Sequence, residues 1–277
     1  MRIDEFSYGG IESSTYNLIC KTTKRQLLPA MRPKTKVING KHGLYDFGNN
    51  DYEPKVHAKR LVYIGDNIAD LHSKKRQIAA WLHSTGFKKL IFGDEPDKYD
   101  LARVVRGVDI DTLLTLGECE VVFECQPMSQ CIFNTGTYII LDDVIPLDSN
   151  ITLDNAANYA FDVTLSPTVI TIENAGTIET SLRSQKGSKF NIEISGSFTT
   201  LSIAMNGKTI NYNEAASGTV VIDNINATIK TNGVNKISKC SGDLTDFLTI
   251  IPGENTVTIT GTGLNCSVLF DYRYEYL

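Results

Sequence analysis

Apolar residues recur with a period of 3.6 at only one place in this chain. Ile68, Leu71, Ile78 and Leu82 fall on one stripe, with Trp81 beside it, which predicts an amphipathic helix from Ile68 to about His83. Asp66 or Asn67 supplies a side-chain oxygen to cap its free amides, and Gly86 is placed to end it in a left-handed conformation. Elsewhere the period is two. "RLVYIGD" (60–66), "KKLIF" (88–92), "DLARVV" (100–105) and "CEVVFEC" (119–125) read as strands, so the helix is expected to pack on a small antiparallel sheet. Trp81, Phe92 and Phe123 are the expected core residues of that layer. "NGKHGLYDFGNNDYEP" (39–54) gathers Gly, Asn and Asp around isolated aromatics and predicts an extended arm, about 27–58.

The texture changes near residue 134. The stretch 141–159 is polar and holds a proline, which predicts a linker over 134–160. Beyond it "FNIEIS" (190–195), "LSIAMNGKTINY" (201–212), "NATIKTNGVNKIS" (226–238) and "NTVTITG" (255–261) alternate strictly. Asn206-Gly207 and Asn232-Gly233 mark tight hairpins, because both central residues of that turn need positive φ. The fold class is therefore mainly β with one helix: an N-terminal sheet domain (1–133) carrying the arm, then a β-sandwich or jelly roll (161–277). The last strand, 266–277, lines up Val268, Phe270, Tyr272, Tyr274 and Tyr276 on one face, a buried stripe by preference over a sugar-stacking platform. The pattern leaves open which domain it pairs with.

Charge divides the halves: residues 1–133 hold 19 Lys+Arg against 17 Asp+Glu, and 134–277 hold 8 against 15. Within 21–60 there are ten Lys+Arg and three Asp+Glu, which suggests a basic arm lying against another surface. That segment lacks interleaved stacking aromatics on a binding sheet, so no specific nucleic-acid partner is expected. No apolar run is long enough to span a membrane, and the first residues lack the pattern of a signal peptide, which predicts folding in a cytoplasm without membrane insertion. The six cysteines form no CxxC pair and read as small buried residues, Cys119 and Cys125 sharing a strand face with Val121 and Phe123.

Candidate chemistry is sparse. Asp94, Glu95, Asp97 and Asp100 crowd into "GDEPDKYD", which has neither the glycine nor the terminal glutamate of a calcium loop; Pro96 and the aspartates fit a hairpin connection instead. A hydrolase using these carboxylates ranks last among the readings. His72 and His83 lie about 16 Å apart along the helix at 1.5 Å per residue, too far for one ion. No HExxH, GxSxG, Walker A or dinucleotide loop is present, so no catalytic residue, metal or cofactor is expected.

Several blocks in order resemble the distal tail protein (Dit) family of siphophages and prophages: "FSYGGIESSTYNLI" (6–19), "LLPAMRPKTKVINGKHGLYDFGNNDYEPK" (27–55), "IAAWLHSTGFKKLIFGDEPDKYDLARV" (78–104) and "GECEVVFECQP" (117–127). "IPGENTVTITG" (251–261) and the closing "YRYEYL" are similar to the family's galectin-like sandwich. The resemblance implies a non-enzymatic baseplate protein of the virion, made in the host cytoplasm, whose six copies ring the tail axis. Its partners would be sibling subunits, the tail tube protein and the tail-associated hub or lysin protein, with receptor-binding proteins or host glycans further out. The arm would lap over its neighbour, with Arg32, Lys34, Lys36, Tyr45, Phe47 and Tyr52 at the contact. The competing reading is a carbohydrate-binding module contacting cell-wall glycans.

Overall fold

The computed structural model describes residues 3–48, 51–108, 110–113, 116–136 and 159–277. The chain forms two compact units that divide between Ser129 and Gln130, the second running to Tyr276. The stretch 137–158, most of the expected linker, lies outside the described residues.

The body of the N-terminal unit is built on one antiparallel sheet. Its strands run Ile11–Glu12, Phe6–Tyr8, Lys88–Phe92, Glu95–Val104, Leu116–Cys125, Lys55–Ile64 and Ile19–Arg25 in spatial order. Alternation decides which side chains go inward: Cys119, Val121, Phe123 and Cys125 are buried, while Glu118, Glu120 and Glu124 point outward to Arg60, Thr23 and Arg103. The helix Ile68–Leu82 begins where Asn67 accepts the Asp70 amide hydrogen, at 2.9 Å. It buries Leu71, Ile78, Trp81 and Leu82 against the sheet. Trp81 stacks on Phe6 at 5.4 Å and donates its indole N–H to the Tyr8 carbonyl at 2.9 Å, so the polar end of the ring is satisfied where the rest is apolar. Ile68 begins the predicted stripe yet stays exposed, and burial starts one turn later at Leu71. The helix leaves through His83 in an extended conformation, and Gly86 does not take a positive φ. Among the described residues no helix is long and apolar enough to cross a membrane.

The C-terminal unit is a sandwich. One sheet orders Ala160–Val163, Asn265–Tyr272, Phe190–Phe198, Ala216–Asp223, Thr228–Thr231 and Val234–Asn235; the other orders Thr168–Asn174, Gly253–Thr262, Thr200–Met205, Lys208–Tyr212 and Cys240–Gly242. Inward residues of both sheets, among them Ile192, Ile194, Phe270, Ile203, Val257 and Ile259, make one core. The hairpin dipeptides turn as their sequence predicts, Asn206 and Gly207 at φ 49° and 76°, Asn232 and Gly233 at 49° and 82°. The last long strand belongs to this unit, where it pairs with Ala160–Val163 and Phe190–Phe198. Residues 130–136 run beside the chain's last turn: the Cys131 N–H donates to the Tyr274 carbonyl and the Thr135 N–H to that of Tyr272, both at 3.0 Å.

The arm and its root as a candidate assembly interface

The strands Ile19–Arg25 and Lys55–Ile64 pair along the sheet, and between them the chain leaves the body as the arm. Short ladders hold it extended: Met31–Arg32 pairs with Asp51–Tyr52, and Thr35–Lys36 with Tyr45–Asp46. Arg32 faces Glu53 at 3.7 Å and Lys34 faces Asp51 at 2.9 Å. Tyr45 and Phe47 meet edge to face at 5.0 Å, with Lys41 5.8 Å from the Tyr45 ring. Of the residues expected at a subunit contact, Arg32, Lys34, Lys36, Tyr45 and Phe47 are exposed and Tyr52 is half-buried.

The charge of this region corrects the sequence reading. Residues 27–53 carry four Lys+Arg and three Asp+Glu, nearly neutral, and the excess within 21–60 comes from the root strands: Lys21, Lys24, Arg25, Lys55, Lys59 and Arg60. The arm instead exposes carbon. Leu27, Leu28, Met31, Val37, Leu44, Tyr45 and Phe47 all stand in solvent. Scattered exposed apolar residues are ordinary, but seven on one thin extension with no core of its own form a concentrated apolar surface.

At the root, the inward face of Lys55–Ile64 presents Lys55, His57, Lys59, Leu61 and Tyr63, all buried. Three of these five are basic, and each has its own solution. Lys59 lies between the rings of Phe92 (4.8 Å) and Phe6 (5.2 Å) and donates to the Asp4 carbonyl at 3.0 Å; burial lowers its pKa. Lys55 donates to Ser129 Oγ at 2.9 Å and sits 3.5 Å from Asp100 Oδ1. His57 Nε2 is 3.2 Å from Asp100 Oδ2, and Ser129 donates to Asp100 Oδ1 at 2.7 Å. Burial alone works against an ionised Asp100, but the His57 and Ser129 hydrogen bonds and the Lys55 charge outweigh it and hold the carboxyl below its usual range.

The four carboxylates of "GDEPDKYD" thus go separate ways. The hairpin turn is at Gly93 and Asp94, and Glu95 to Asp100 are already strand, with a register shift between Glu95 and Asp100, rather than a loop. Asp94 and Glu95 clamp Arg25, at 2.6 Å for Asp94, while the Arg25 guanidinium lies 4.4 Å from the Phe92 ring centre. Asp97 is 3.7 Å from Lys98, and Asp100 belongs to the buried cluster. None faces another across a cleft.

His57, Asp100 and Cys125 each bring one ligand atom within 4.8 Å of the others, a grouping that no local spacing in the sequence reveals. Its chemistry is that of a hydrogen-bonded cluster. The Gln26 backbone N–H donates to His57 Nδ1 at 3.3 Å, so the imidazole proton sits on Nε2, aimed at Asp100, and neither nitrogen has a lone pair to give an ion. Burial pushes the Cys125 thiol well up, which keeps it protonated. Trp81, Phe92 and Phe123, the three residues expected in the core, are all buried. Val268, Phe270, Tyr272 and Tyr274 are buried and Tyr276 is half-buried, so most of the stripe is core.

The N-terminal unit thus combines an extended arm rich in exposed apolar side chains with a buried Lys55–His57–Asp100–Ser129 cluster at its root. Two families match the chain in succession: the phage tail protein RIFT-related domain over residues 11–125, and the siphovirus-type tail component, C-terminal domain, over 163–276. The chain belongs to the distal tail protein (Dit) family of siphophages and is a component of the virion tail. Among solved structures it shares the fold of the SPP1 Dit protein, described there as a paradigm of the hub adsorption apparatus of phages infecting Gram-positive hosts, with a TM-score of 0.68 and 14% identity over 98% of both chains. A chain of the phage p2 baseplate in its activated conformation with Sr matches with a TM-score of 0.40 and 12% identity, over 92% of this chain and 90% of that one. No curated protein sequence matches the chain.

Proposed function

We propose that this protein is the non-enzymatic hub of a siphophage baseplate. Six copies close into a ring on the tail axis, each arm lapping over the next subunit. The ring joins the end of the tail tube to the tail-associated hub protein, and the C-terminal sandwiches face outward toward the adsorption proteins. The observation that carries this reading is the arm: it exposes seven large apolar side chains and has no body of its own to cover them. A ring of identical subunits covers every such arm at once, which an open chain of subunits does not.

The test is the size and shape of the full-length protein by light scattering and negative-stain imaging. Annular particles are expected from the natural chain, and single subunits from Leu44→Ser/Phe47→Ser, which removes exposed carbon without touching the root. Rings of unchanged mass from that variant would remove the arm's role. A cleaner loop-out deletes residues 30–53, since cutting through to 58 also takes Lys55 and His57 out of the sheet.

A further inference from the structure

His57 stands where the arm leaves the body. Its strand partner is Arg25, and the next residue, Gln26, donates its backbone N–H to His57 Nδ1 at 3.3 Å. The other ring nitrogen faces Asp100 at 3.2 Å. Only a neutral imidazole with its proton on Nε2 performs both roles. A second proton would place an N–H on Nδ1, head-on to the N–H of Gln26, and two donors cannot share a bond.

We propose that His57 is a proton-operated latch on the arm: neutral, it holds the Gln26 backbone to the Lys55–Ile64 strand, and protonated, it lets that backbone go.

The groups facing the ring decide what moves. Asp100 favours the second proton and keeps its contact with Nε2 in both states. Lys55, beside Asp100, opposes that proton. So do Arg25 and Lys59, which lie over the same Phe92 ring that His57 meets edge-on at 5.4 Å. Asp94 and Glu95 are engaged with Arg25, and the Cys125 thiol is neutral. Protonation therefore costs one contact, the one to Gln26. The Gln26 side chain also accepts from Val56 N–H at 3.0 Å and donates to the Leu28 carbonyl at 2.9 Å. Release is thus confined to the entry of the arm and leaves the sheet intact.

The latch stands on this geometry alone; its consequence for assembly rests on the ring reading above. The experiment follows the His57 ring and the Gln26 amide of the full chain by NMR from pH 5 to 8, with amide exchange corrected for its intrinsic pH dependence. A fall of about five- to tenfold in the protection of Gln26, the equivalent of one lost hydrogen bond, is expected to track the titration of the ring. His57→Gln, neutral at every pH, is expected to abolish that dependence. Protection that stays flat while the ring titrates, a ring that does not titrate in this range, or an equal fall in His57→Gln would each overturn the latch. Particle size at both ends of the range separates the two ideas: Gln26 released with assembly unchanged leaves the latch standing and removes its link to the ring.

Discussion

Asp100 shows how much one buried carboxylate can organise. It answers Lys55 and His57 at once, on a face that would otherwise hold two uncompensated basic groups. Because its folded pKa is depressed, its stabilisation is complete above the ordinary aspartate range, near pH 4, and is lost as pH falls through the folded value. Asp100→Asn is expected to cost about 3–5 kcal/mol at neutral pH, the penalty for stranding a buried charge partner. The deficit should shrink progressively as urea melts are repeated at pH values falling below the ordinary aspartate range, where the natural residue loses its charge in turn; a constant deficit would mean that packing rather than charge is lost. Little of this was legible in the sequence. Lys55, His57 and Lys59 alternate on a period of two, as a buried strand face does, but cations at such positions are ordinarily solvated, so the apolar pattern marks the strand only from Arg60. Burial became affordable only through Asp100, Phe6 and Phe92, none of them near in sequence.

At the scale of elements, local chemistry was the better guide where it acts locally. The Asn-Gly dipeptides and the Asn67 cap do in the structure what their side chains dictate, since both signals depend on residues a few positions away. The acidic stretch misled because Pro96 and three aspartates fit a turn, whereas the bend itself needs only Gly93 and Asp94. Cross-strand fit is less visible still. Gly117 lies opposite Tyr63, and a Cβ there would come within 2.1 Å of the Tyr63 ring. Gly117→Ala is expected to lower stability by about 1–3 kcal/mol through overpacking. Gly207→Ala, with open space around it but φ at 76°, should cost about 1–2 kcal/mol from backbone strain alone. Denaturant titrations of both variants, with a Tyr63→Ala background added for the first, check the assignment. Relief of the Gly117→Ala penalty by Tyr63→Ala would identify the clash directly.

For the whole molecule, composition and periodicity gave two β units and one helix, and the change of texture near 134 was visible. What was not visible is that residues 130–136 serve the second unit. Gln130 donates to the buried Glu275 carboxylate at 3.0 Å, and Asn134 reaches Asp271 at 2.5 Å. Such pairing joins positions some 140 apart, which no local pattern records. A fragment of residues 130–276 is therefore expected to be more stable than one of 161–276 by about 2–4 kcal/mol, for the several hydrogen bonds it retains. Equal denaturation midpoints for the two fragments would show that the segment only passes by.

The same stitching sets an order of events during synthesis. All the strands of the first core have been made by the time residue 125 leaves the ribosome, so it can close early. In the second, Asn134 and Thr135 meet their hydrogen-bond partners only once the residues up to Tyr272 emerge. A truncated product thus carries a finished first half and an unzipped second one.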